Sequence, residues 1–70
     1  MTQDDENKIE SVISSINSMC KEVDEISDNI VILRDGDVHQ CGYLGKAIVS
    51  LKESTANLYE AVKISKKMRQ

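Results

Sequence analysis

From Ile9 to Leu33 an apolar residue recurs at every third and fourth position without a miss: Ile9, Val12, Ile16, Met19, Val23, Ile26, Ile30 and Leu33. Steps that alternate three and four put all eight on one stripe of a helix. This is the heptad pattern of a helix lying lengthwise on another, with Ile9 at position a and Val12 at position d. The 70-residue chain has no proline, three glycines, and neither Phe nor Trp. An all-α chain is the natural reading.

Arg34-Asp35-Gly36-Asp37 interrupts the stripe. Asp-Gly is a turn dipeptide, because glycine takes a positive φ without a Cβ clash. Beyond it a second alternation runs through Cys41, Leu44, Ile48, Leu51, Thr55, Leu58, Val62, Ser65 and Arg69. The expected fold is therefore an antiparallel two-helix hairpin in one domain over residues 1–70. Helix one covers about 3–33, the turn about 34–40, and helix two about 41–68. Thr2 and Asp5 have capping-box spacing at the start of helix one, and Asp37 and Gln40 repeat it at the start of helix two. Gly42 and Gly45 cost about 1 kcal/mol each against alanine inside a helix. They argue for a start as late as Leu44, or for a close approach of another backbone.

A register follows from setting a against d across an antiparallel pair. It places Ile30 against Leu44, Met19 against Thr55, Ile9 against Ser65 and Asp5 against Arg69. In that register Ile13 and Cys20 lie on a flank of helix one, with Tyr59 of helix two near Ile13. Ala47, Ala61 and Met68 lie on helix two's other edge. The stripe is wider than one seam needs, and 70 residues rarely stabilise themselves on a single thin core. Completion to a four-helix bundle by self-association or a helical partner is expected, with Ile13, Cys20 and Tyr59 as partner-binding residues. Tyr43, Val49 and Ile64 form a looser second apolar group. Thr55, the polar member of the second stripe, is expected to bond back to the Leu51 carbonyl and to serve register or partner choice.

Charge is unevenly placed. Residues 1–33 hold eight acids and two bases; residues 34–70 hold four acids and seven bases. The halves attract when folded side by side. Lys63, Lys66, Lys67 and Arg69 form a basic end suited to a helix C-terminus. They also supply the alternative function, a small RNA- or DNA-binding regulator of four-helix-bundle type, although no aromatics are interleaved with them.

Catalytic and metal chemistry finds little footing. His39 and Cys41 are two apart near the turn, with no third group to orient them and no cleft expected in a hairpin. Structural zinc wants four N/S ligands, and Asp35 and Asp37 lack the frame of a calcium loop. Gly42-Tyr-Leu-Gly45 matches a KH-type GxxG in letters only. No catalytic, cofactor-binding or metal residues are assigned, and no enzyme activity is expected. In the expected register Cys20 and Cys41 stand roughly 20 Å apart, too far for a bridge that needs Cα atoms within about 7 Å. The acidic opening is unlike a signal or transit peptide, and no apolar run nears the roughly 20 residues that cross a bilayer. A soluble cytoplasmic protein with a protein partner, a homodimer or a helical hetero-partner, is the expectation from sequence.

Overall fold

The computed structural model describes residues 1–33 and 38–69. It contains two long helices, α1 (Gln3–Leu33) and α2 (Val38–Met68). They pack side by side as an antiparallel hairpin with a Cα outline of 53 × 15 × 11 Å. The Arg34-Asp35-Gly36-Asp37 turn, its Asp37 cap and the side-chain layer of Leu33 lie outside the described residues. Among the described residues, no helix is long and apolar enough to cross a membrane.

The first cap forms as its spacing predicts. The Thr2 N–H donates to Asp5 Oδ2 at 3.1 Å, and the Asp5 N–H donates to Thr2 Oγ1 at 3.1 Å. The Glu6 N–H reaches the Thr2 carbonyl at 3.1 Å and begins the helical ladder. These bonds satisfy donors that a helix start otherwise leaves without partners. The Thr2 N–H, then the Thr2 side chain, and more weakly the Lys8 ammonium, hold the Asp5 carboxyl below its ordinary 3.8. A lowered carboxylate pKa stabilises the fold above the unfolded value, and that stabilisation is lost as pH falls through the folded one. The first turn of α1 should therefore fray as pH drops below about 4, while the rest of the hairpin stays closed. Amide exchange at Thr2 and Asp5 followed against pH checks this, and Asp5→Ala should show the frayed first turn already at neutral pH.

α2 begins at Val38, ahead of the expected start, and runs through both glycines. A Cβ added at Gly42 or Gly45 would meet nothing within 4 Å, so neither marks a close approach. Both glycines sit on the outer side. Cys41, Leu44 and Ile48, all half-buried, hold the segment against α1. Packing thus offsets the local cost of glycine.

The seam of α2 matches the periodic reading. Cys41, Leu44, Ile48, Leu51 and Leu58 are half-buried, and Thr55, Val62 and Ser65 are buried. Thr55 bonds back to its own helix, but its hydroxyl donates to the Lys52 carbonyl at 2.8 Å and not to Leu51.

The seam of α1 requires a correction. Its inward residues are Glu6, Ile9, Ile13, Ile16, Cys20, Val23, Ser27 and Ile30. The a positions face α2 as expected, but their companions are the e positions, and the d residues Val12, Met19 and Ile26 are 49%, 45% and 52% exposed. The helix is turned by about 50° from the expected facing, the angle between d/a and a/e stripes at 100° per residue. The polar partners change with it: the Ser65 hydroxyl meets Glu6 in place of Ile9, and Arg69 meets Glu6 in place of Asp5, so the pairing stays within about one turn of the expected register. The reason lies in the width of the stripe. Positions a, d and e are all apolar over Ile9–Cys20, so periodicity leaves either edge free to face α2. The polar e residue Glu6 decides it, because its carboxylate takes the Ser65 hydroxyl and the Arg69 guanidinium of α2 as partners in the turned arrangement.

Candidate interaction surface

Glu6 is 1% exposed, the largest fully buried side chain among the described residues. Its Oε2 accepts from the Ser65 hydroxyl at 2.7 Å, and its Oε1 from Arg69 Nη2 at 2.7 Å. A buried carboxylate is tolerable only when paired and hydrogen-bonded in this way. Ser65 Oγ also lies 3.3 Å from the Met1 carbonyl. Like Asp4 and Asp5, Glu6 lies in the acidic first turn of α1, where a carboxylate suits the positive end of the helix dipole. Its e position, in line with Ile13 and Cys20, was the signal that it points inward.

One flank of the hairpin is closed by charge. Lys66 Nζ lies 3.2 Å from Glu10 Oε1, with both side chains about half exposed. This pair fixes which edge of α1 adjoins which edge of α2. Tyr59, 56% exposed, lies on the same flank, in a shallow groove with Glu10, Val62, Lys63, Lys66 and Lys67. A separate shallow groove is lined by Cys20, Lys21, Asp24, Ile48 and Lys52.

The partner-binding residues expected from sequence are therefore separated. Ile13 is 2% exposed inside the hairpin seam, and Cys20 is half-buried at its edge, beside Asp24, Ile48 and Lys52. Tyr59 alone remains on the surface, on the charged flank. Cys20 and Cys41 are free thiols, and Cys41 Sγ lies 3.9 Å from the Ser27 carbonyl.

The opposite flank has a different character. On α1 it presents Val12, Met19 and Ile26, seven residues apart. On α2 it presents Ala47, Ser54, Ala61 and the 81%-exposed Met68, also seven apart. The seam residues Ile9, Ile16, Val23 and Ile30 adjoin the first row, and Leu44, Leu51 and Leu58 the second. No charged residue interrupts either row between Ile9 and Ile30 or between Leu44 and Met68. The Ser54 hydroxyl donates to the Ser50 carbonyl at 3.0 Å, so it is satisfied within its own helix. The expected register puts Ala47, Ala61 and Met68 on this edge but places Val12, Met19 and Ile26 inside.

Of the basic end, Lys66 bonds Glu10 and Arg69 bonds Glu6, so two of its four cations serve the hairpin. Lys63 and Lys67 are exposed. Tyr43, Val49 and Ile64 are exposed at 71%, 55% and 55%, and Lys46 Nζ sits 5.4 Å from the Tyr43 ring centroid, a cation–π distance. Among the described residues no three His, Cys, Asp or Glu side chains gather as metal ligands. A scan against protein-family models and searches of curated proteins and of solved structures return no match to this chain.

Proposed function

We propose that this chain is a non-enzymatic helical assembly module, a small adaptor or regulatory subunit completed to a four-helix bundle through the charge-free face. The observation that carries this reading is a mismatch of burial. Among the described apolar residues only Ile13 and Val62 are fully buried, whereas a ridge of Val12, Met19 and Ile26 is about half exposed along one edge. Continuous exposed apolar surface of this kind, rimmed by polar residues, marks an interaction site. A two-helix core this thin gains stability when further helices cover it. The nucleic-acid alternative draws less support, because Lys66 and Arg69 are held by carboxylates of α1.

A photo-crosslinking residue at Met19 tests the reading, with Lys21 on the far side of α1 as control. Position 19 should give a covalent adduct of one defined mass in cells, and position 21 none. Equal labelling from both positions, or none from Met19, would overturn it.

A further inference from the structure

We propose that the occupant of the charge-free face is a second copy of this hairpin. It docks about a two-fold axis parallel to the helices, so that each α1 lies on the partner's α2 and both connections emerge at the same end. The proposal rests on the assembly-module reading and names its partner.

Size complementarity carries it first. The contacts of Ser65 and Arg69 with Glu6, of Lys66 with Glu10 and of Cys41 with Ser27 together bracket the levels of the two helices. Val12 then stands level with Leu58–Ala61, Met19 with Leu51–Ser54, and Ile26 with Leu44–Ala47. A two-fold axis along the bundle keeps every residue at its own level. It therefore brings the three large residues of one α1 onto Ala61, Ser54 and Ala47 of the other chain's α2, ridge into groove. The symmetry repeats this on the other side, as an isologous interface requires. The other two-fold arrangement has connections at opposite ends and lays α1 on α1. It would set ridge on ridge, and small row on small row, leaving a clash on one side and a gap on the other.

Charge points the same way. Residues 1–33 carry eight acids and two bases, and residues 34–70 carry four acids and seven bases. Laying α1 on the partner's α2 alternates acidic and basic helices around the bundle, whereas α1 on α1 would juxtapose like charge. The area is also sufficient. The 53 × 15 Å outline gives a face of about 800 Å², the amount each partner contributes to a standard-size stable interface.

The experiment has two parts. Light scattering on the unaltered chain at tens of micromolar should give twice 7.8 kDa; a single-chain mass overturns self-association. A monomer that still yields a Met19 adduct in cells would keep the assembly reading with a different partner. The second part uses chains with Cys20→Ala and Cys41→Ala, checked for helicity. One carries Met19→Cys, the other Ser54→Cys, and the two are unfolded and refolded together. Oxidation should link position 19 to position 54, because the arrangement brings their Cα atoms within disulfide range, about 7 Å. A 19-to-19 disulfide as the dominant product overturns the arrangement.

Discussion

Ile13→Ala should leave the hairpin largely unfolded, whereas Val12→Ala, one residue away, should leave most of it folded. Ile13 is 2% exposed and Val12 49%. Truncating a buried isoleucine to alanine costs about 2–5 kcal/mol, from lost transfer energy and from the cavity left behind. For a domain of this size that is comparable to its whole stability. Val12 keeps half its surface in water within the hairpin and loses correspondingly less. Ile13→Val, expected to cost about 1 kcal/mol, keeps the comparison measurable if the alanine variant does not fold. Urea unfolding followed by far-ultraviolet circular dichroism, with all chains at one concentration, checks the order. A larger loss at Val12 than at Ile13 would return α1 to the facing that its heptads first suggest.

Glu6→Ala should cost about 3 kcal/mol, the low end for breaking a buried ion pair by removing one partner. The low end applies because the Arg69 side chain is 41% exposed and partly screened by water. Asp4→Ala is the control, since Asp4 pairs with Lys8 at 3.0 Å but is 74% exposed. Its loss should fall within about 0.5 kcal/mol, as for an ordinary surface position. A double-mutant cycle of Glu6→Ala with Arg69→Ala should return a coupling of about 1–3 kcal/mol. Replacing the pair of buried oxygens together, with Glu6→Leu and Ser65→Ala, should recover most of the loss, because an apolar layer needs no partner. Glu6→Ala costing no more than Asp4→Ala would remove the network from any structural role.

The two helices, their antiparallel pairing and the Thr2–Asp5 cap were legible in the sequence because each depends on local spacing. The inward face of α2 was legible as well, since the alternation of three and four from Cys41 to Val62 is apolar at every position but Thr55. The facing of α1 was not. Its a, d and e positions are all apolar around Ile9–Cys20. The sequence shows that width without saying which edge meets α2. That choice rests on Glu6, whose partners Ser65 and Arg69 lie some sixty residues away. Charge near a helix start is ordinarily explained by the dipole, so only its e position, in line with Ile13 and Cys20, separates Glu6 from Asp4 and Asp5. With the facing turned, Ile13 and Cys20 moved from the expected partner flank into the seam. Val12, Met19 and Ile26 moved out to the surface.

Every fully buried residue among those described, Glu6, Ile13, Thr55, Val62 and Ser65, lies in the half of the hairpin remote from the connection. The clasp there joins positions 59 to 64 apart in the chain. Loop-closure entropy makes such distant meetings the least favourable to form early. The layers nearest the connection are the easiest to bring together, yet they hold the least. Local order and final stability therefore run in opposite directions along the rod. The two helices must be extended nearly to full length before the clasp can engage, so folding speed depends on helix growth and on the whole chain doubling back, more than on the turn.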